Sequence, residues 1–317
     1  MDLLRTDSNW EVRTPAKLNL LLEILSRRGD GFHEIETLMV PIRLFDSLEL
    51  RCNSTGQIEL ECQWATPGAK AAPASRPPSP LKDISDGAGN IVYRAVKLLR
   101  DRSGVKAGAT MRLAKRVPVA AGLGGGSSDA AAALAAANAA WNLNWSTQQL
   151  LGLAAELGSD VPFFVGAARG QGAAICRGRG EQIQRLAGLG QLHFVLAKPT
   201  QGLSTADVYA ALKPPIASRA AQSASRLGAM IAALRRGATA VAAGLLHNRL
   251  QTAAESLSPG IARLKHEFNR IGCLGHQMSG SGTSYFGICR TAHHARSIAG
   301  RLRVRGVGDV YALSSYI

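Results

Sequence analysis

Apolar residues recur at every second position in the first third of the chain. Leu48, Leu50 and Cys52, then Ile58, Leu60, Cys62 and Trp64, alternate with polar neighbours, and Asn53, Ser54, Thr55 and Gly56 lie between the two runs. A period of two turns one face of a strand to a core and the other to water, so this stretch predicts a β-hairpin. Lys17 to Leu25 and His33 to Leu44 read as two earlier strands around the turn-rich Arg27 to Gly31. The period then changes. Ile91, Ala95 and Leu98 with Val92, Val96 and Leu99 make one apolar face of a helix over Asn90 to Arg102, and Ala109 to Ala114 reads as a strand. An Ala-rich helix follows a run of glycines, and Ser146 is placed to cap a helix that ends near Leu157 before Gly158. Beyond Phe164 come short strands at Ala173 to Cys176 and His193 to Ala197, then Ala-rich helices to about Leu257. A helix from Ile261 carries Leu264, Phe268 and Ile271 on one face, the glycine turn MSGSGTSYFGI lies between two short strands, and a helix and a strand close the chain. Strands mixed with helices, without a repeated βαβ unit, predict an α+β fold in two domains, 1–168 and 169–317. From Thr66 to Gly89 the sequence is Pro, Ala and Ser without an apolar period, which predicts a surface insertion.

Composition narrows the class. With 317 residues, 46% hydrophobic and 19% charged, the chain is globular rather than disordered. LNLLLEIL, its most apolar run, carries Glu23 and falls short of the ~20 residues of a membrane span. The first ten residues contain Asp2, Arg5 and Asp7 without an apolar leader, and the five cysteines are odd in number with no C-x-x-C pair. The expectation is a reduced, cytoplasmic protein with no membrane partner, no disulfide framework and no zinc site. A net charge of +15 suits either nucleic acid or small polyanionic substrates. The basic residues are spread, and no basic stripe carries interleaved aromatics, so small polyanions are favoured and no nucleic acid is expected as partner.

Chemistry concentrates at Pro118 to Ala133, PVAAGLGGGSSDAAAA. Gly122, Gly124, Gly125 and Gly126 carry no Cβ to hold a ligand off the backbone, and they run into a helix N-terminus. Bare amides and the positive end of a helix dipole both attract phosphate. The Lys of a G-x-x-x-x-G-K-[ST] loop is missing, and a dinucleotide fingerprint would need a βαβ context that is not evident. Ser127 and Ser128 either cap the helix with their hydroxyls or bind phosphate and its Mg²⁺. Asp129 reads as a first-turn helix residue.

Other groups must then position an acceptor. Lys17 stands alone among apolar residues on a strand, with Asn19 on the same face two residues on. It either pairs with an anion or snorkels from an edge strand. Asp160, two residues before Pro162, is either a helix cap or a base that accepts a hydroxyl proton. Phe32 and His33, after Gly29-Asp30-Gly31, either pack or stack on and hydrogen-bond a flat heterocycle.

TPAKLNLLLEILSRRGDGFHEIETLMVPI, PVAAGLGGGSSDAAAAL, GSDVPFF, KPTQGLSTADVY and MSGSGTSYFGI, in that order, resemble the motifs of the GHMP small-molecule kinases over about Thr14 to Ile288. The PAKLNL and DGFHE stretches are similar to the branch whose substrate is 4-diphosphocytidyl-2-C-methyl-D-erythritol, phosphorylated by ATP on its 2-hydroxyl in non-mevalonate isoprenoid synthesis. The resemblance implies an N-terminal domain like that of a small-subunit ribosomal protein and a ferredoxin-like C-terminal domain, acting as monomer or weak homodimer. It implies that Pro118, Gly122, Leu123, Gly124, Gly125, Gly126, Ser127 and Ser128 bind ATP, with Ser128 at the Mg²⁺, and that Asn90 and Lys115 lie near its base and ribose. It implies that Lys17 and Asp160 form the catalytic pair, that Asn19 and His33 touch the substrate, and that Phe32 and Tyr209 sandwich the cytosine, with Thr205 one helical turn before Tyr209. Phe32 stands where the family often has Tyr, Gly89 replaces an Asp before Asn90, and HNRL at His247 to Leu250 replaces a more acidic stretch.

Overall fold

The computed structural model describes residues 2–6, 9–65, 86–166, 172–212 and 220–316. The insertion expected at Thr66 to Gly89 lies mostly outside them. The chain divides into two compact units: one comprises Met1–Ala16, Leu44–Val119 and Gly124–Gln171, the other Lys17–Arg43, Ala120–Leu123 and Gly172–Ile317.

In the first unit the sheet follows the order β1-β2-β3-β5-β4, with β1 at Asp2–Thr6, β2 at Asn9–Arg27, β3 at His33–Asn53, β4 at Ile58–Trp64 and β5 at Gly108–Lys115. The hairpin expected across Leu48 to Trp64 does not form. Instead β5 lies between β3 and β4, antiparallel to the first (Leu50 opposite Met111) and parallel to the second (Leu60 opposite Met111). Both runs alternate as expected, because each buries one face, but a local period says nothing about which neighbour completes the ladder.

Among the described residues this unit has four helices: α1 (Ile91–Ser103), α2 (Gly125–Ala140), α3 (Thr147–Leu157) and α4 (Val161–Phe164). Asn90 caps α1 by accepting from the Val92 amide, and Ser146 opens α3 with a reciprocal capping box to Gln149. Packing with α1, α3 and α4 buries Ala130 to Leu134, Ala136 and Ala137 almost completely, so α2 is covered on nearly all sides. A helix surrounded in this way needs small residues rather than one apolar stripe, which accounts for its alanines.

In the second unit β3 continues antiparallel to β6 (Ala173–Gly178), which pairs with β7 (Gln182–Leu186). A separate antiparallel sheet has the order β10-β11-β8-β12, where β8 is His193–Lys198, β10 Gly275–Met278, β11 Tyr285–Cys289 and β12 Asp309–Ser314. The helices are α5 (Thr205–Ala210), α6 (Ala220–Arg235), α7 (Thr239–Gly244), α8 (Gln251–Leu257), α9 (Pro259–Asn269) and α10 (Ala292–Val304). Strand β9 (His247–Asn248) runs parallel to β2. One core joins Leu22, Ile24 and Ile35 to Phe268, Tyr285 and Ile298. These pairings explain why Lys17–Arg43 groups with the C-terminal residues instead of following a single cut at 168/169: β6 and β9 extend the same stretches of β3 and β2.

Gly108 shows how tightly the first sheet closes. A Cβ there would lie 2.2 Å from both Asn53 Oδ1 and the Gln57 carbonyl. Gly108→Ala should therefore lower stability by about 1–3 kcal/mol, the scale of overpacking. An unchanged urea midpoint would contradict this contact.

Candidate active site

The glycine stretch is built as an anion cradle. Ala120, Gly122 and Gly124 have positive φ of 49°, 71° and 68°, while the residues between them do not. Such alternation turns successive N–H groups toward one side, a concavity that fits phosphate oxygens. Gly124 is the N-cap of α2 and offers no side-chain cap. The first amides of the helix therefore point outward without intrahelical partners, at the positive end of its dipole.

Two expectations change here. Ser127 and Ser128 do not cap α2, since the cap is Gly124 and they fall inside the helix. Ser128 is fully buried, and its hydroxyl has no hydrogen-bond partner among the described residues. Asp129 is not in the first turn either. It is buried a turn further in, where Oδ2 accepts from Lys115 Nζ at 2.6 Å and Oδ1 from Thr14 Oγ1 at 2.6 Å.

Lys115 also donates to Asp46 Oδ2, and Asp46 Oδ1 accepts from the Arg116 and Val117 amides, the latter at 2.8 Å. Three buried ionisable groups thus lie beside the start of α2, and a Cβ on Gly125 would come within 3.4 Å of Lys115 Nζ and 2.9 Å of Val117 Cγ1. Burial, and next the charge of Asp129, push Asp46 up to about 7. Lys115 is raised by its two carboxylates, which outweigh the opposing effect of burial. Pro118, just beyond, is buried, and Asn90 is held at its cap while Nδ2 contacts Cys62 Sγ at 3.4 Å.

In the second unit Lys17 and Asn19 share one buried face of β2. Lys17 is only 3% exposed and donates to Asn19 Oδ1 at 2.5 Å, which excludes the snorkelling alternative. Asn19 in turn donates to Thr37, and Thr37 to the Leu21 carbonyl. The Lys17 amide donates to the Leu123 carbonyl at 2.9 Å, so the lysine backbone is tied to the front of the glycine loop.

A second glycine turn, Ser279 to Gly282, presses on the same place. A Cβ on Gly122 would sit 2.2 Å from the Ser279 carbonyl, and one on Gly280 would sit 3.3 Å from Lys17 Nζ. Ser279 Oγ donates to the Gly122 carbonyl at 3.1 Å, and the Ser284 amide to that of Ala121. The sequence shows this turn as a glycine cluster, but only the fold places it against Lys17.

The aromatic group gathers around the turn before β3. Asp30 accepts from Arg28 and from the Phe32 amide, fixing that turn. Phe32 is 50% exposed, with the Arg179 guanidinium 4.9 Å from its ring centre. His33 and Tyr209 lie 5.0 Å apart, centre to centre, at 36°. Burial, then the charge of Arg27, lowers the pKa of His33 and favours its neutral ring. Thr205 Oγ1 is 2.9 Å from Ser281 Oγ of the second glycine turn. Asp160 occupies the N-cap position of the short α4 and is partly exposed, but its side chain makes no capping bond there.

Residues 90–167 match the model of the GHMP kinases N terminal domain, and residues 230–307 that of the GHMP kinases C terminal domain. A 4-diphosphocytidyl-2-C-methyl-D-erythritol kinase from Pelotomaculum thermopropionicum is 43% identical over 288 residues, covering 91% of this chain and 92% of that one. The chain belongs to the GHMP kinase superfamily. A crystal structure of a 4-(cytidine 5'-diphospho)-2C-methyl-D-erythritol kinase aligns with a TM-score of 0.73 at 32% identity, covering 96% of this GHMP kinase and 98% of the other chain. A homoserine kinase from Cytophaga hutchinsonii aligns at 0.72 but with 18% identity, a likeness of fold alone, covering 100% of this chain and 97% of its own. The GHMP kinase fold supports use of a nucleotide, and the residues present fit one: the loop alternates positive-φ residues, and the buried Ser128 hydroxyl has no hydrogen-bond partner among the described residues. Among the described residues no three His, Cys, Asp or Glu side chains gather to hold a metal by themselves, and no helix is long and apolar enough to cross a membrane.

The buried cluster makes stability depend on pH. Asp46 has a higher pKa folded than unfolded, so between about pH 4 and 7 the folded state binds the extra proton, and the stability owed to Asp46 declines as pH rises through that window. Denaturant titrations of Asp46→Asn should accordingly lose this slope, which can reach about 1 kcal/mol per pH unit. Parallel pH curves for the two proteins would show that Asp46 does not titrate there.

Proposed function

We propose that this GHMP kinase transfers the γ-phosphoryl group of ATP to the 2-hydroxyl of 4-diphosphocytidyl-2-C-methyl-D-erythritol, a step of non-mevalonate isoprenoid precursor synthesis. The observation that carries the proposal is 43% identity, over nine-tenths of both chains, to a kinase named for that substrate. The positive-φ cradle and the exposed Phe32 beside His33 and Tyr209 support it, since the substrate pairs phosphates with a flat base.

In this proposal the amides from Gly122 to Ser127 receive the ATP phosphates, with Leu123 and Pro118 shaping the loop. Ser128 Oγ would hold the Mg²⁺, which would supply neutralisation of the phosphate charge. Lys17 holds and polarises the acceptor hydroxyl, its Nζ oriented by Asn19, and Asp160 accepts the hydroxyl proton as the phosphoryl group arrives. Phosphoryl transfer asks mainly for positioning and charge balance, so one cation, one carboxylate and the loop amides suffice. Asn90 stands at the nucleotide base. Lys115, its charge already met by Asp46 and Asp129, acts there through the placement of Val117 and Gly125. Phe32 and Tyr209 flank the cytosine, and neutral His33 offers its edge one donor and one acceptor. Asn19 and Thr205 complete the acceptor side. The partners are these two small molecules, and the protein works in the cytoplasm as a monomer or weak homodimer.

Incubation with ATP and this substrate should yield ADP and the 2-phosphate, and no turnover by folded protein would overturn the proposal. Asp160→Asn should lower kcat by about 10²-fold or more, the loss expected when a general base is removed. Undiminished kcat would make Asp160 a structural residue. Phe32→Ala with Tyr209→Ala should raise KM for the cytidylyl acceptor. An unaltered KM would mean that the base is held elsewhere.

A further inference from the structure

The HNRL stretch, His247 to Leu250, has no part in the proposed chemistry, yet the structure places it behind the second glycine turn. His247 and Asn248 pair with Leu21 and Leu22 of β2, and the Arg249 amide donates to the Leu22 carbonyl at 2.9 Å. This fixes Asn248 opposite Leu22, three residues along β2 from Asn19. Its carboxamide is fully employed. Nδ2 donates to the Met278 and Gly280 carbonyls, both at 2.8 Å, and Oδ1 accepts from the Leu250 amide at 2.9 Å. One planar group therefore ties the entry and the middle of the turn to the start of α8.

The turn so held has little freedom of its own. Gly280 and Gly282 sit at φ of 57° and 93°. On its far side the turn meets Gly122 through the Ser279 carbonyl and Oγ, and meets Lys17 and Asn19 at Gly280. Gln277, one residue before Met278, donates to the Asn19 and Leu20 carbonyls and keeps the strand in register with β2. A shift of the turn would move the front of the glycine loop and the Lys17 ammonium together.

We infer that Asn248 is a positioning residue for phosphoryl transfer, acting through the Met278 and Gly280 carbonyls to set Lys17 and Ala120–Leu123. This rests on the kinase reading above. Asp in its place keeps the acceptor for Leu250 but sets a carboxylate oxygen against two carbonyls, so the turn must move away.

The test measures kcat, both KM values, ATP affinity by calorimetry, and thermal stability for wild type, Asn248→Asp and Asn248→Ser, with His247→Gln as control. His247 binds Glu23 at 2.9 Å and makes no side-chain bond to the turn, so its variant should retain kcat within about twofold. Both Asn248 variants should lose kcat about tenfold or more while ATP affinity moves less than about threefold, because misplacing reacting groups by a fraction of an ångström costs rate before binding. Folded Asn248 variants with kcat near wild type would overturn the inference. So would a loss of kcat that falls equally on ATP affinity or that His247→Gln reproduces, since each marks general loosening of the unit. If Asn248→Asp does not fold, Asn248→Ser decides by the same criteria. Absent turnover in wild type overturns the parent reading and this inference with it, whereas unchanged variants beside an active wild type overturn this inference alone.

Discussion

Backbone approaching backbone is the constraint on which the surroundings of Lys17 depend. The Ser279 carbonyl occupies space that any side chain at residue 122 would need, 2.2 Å from the missing Cβ. That closeness lets Ser279 Oγ and the Ser284 amide reach the carbonyls of Gly122 and Ala121. It also brings Gly280 against Lys17. Glycine is required here by contact as much as by dihedral angle, since a Cβ would push the turn off the very groups it orders. The hydrogen bonds of Gln277 and Asn248 are consequences of the same demand, for a close approach must be enforced from behind.

Buried charge is handled differently in the two units. Lys17 donates to Asn19, which is held through Thr37 to the Leu21 carbonyl, a relay that orients the ammonium. Lys115 meets two carboxylates at once, so the surplus there is negative and falls on Asp46. A lysine met by two carboxylates serves to join β5 to α2, and burial alone does not mark that role, since Lys17 and Lys115 are about equally buried.

Much of this was legible in the sequence wherever the determining contacts are local. Asn90 and Ser146 announced their helices because caps act within three residues, and the glycines announced an anion site because φ and the absence of Cβ are properties of single positions. Contacts over long separations left no such trace. Nothing between Cys52 and Ile58 tells that β5 will enter between their strands, and Lys115 finds Asp46 across 69 positions. Ser128 and Asp129 lie a turn deeper than their sequence suggests because four glycines hide where the helix begins, and the cap is Gly124. Asn248 was recognisable only as a departure, since its partners lie 30 and 32 residues away.

The alanines of α2 have an entropic consequence. A buried Leu or Met must give up rotamers, but alanine has none to lose, so this helix is enclosed on nearly all sides at almost no side-chain entropy cost. The amides at its N-terminus are thereby carried on a strut with very few internal degrees of freedom. Donors mounted in that way keep their orientation while charge shifts in front of them, and the electric field they present needs no reorganisation from one moment to the next.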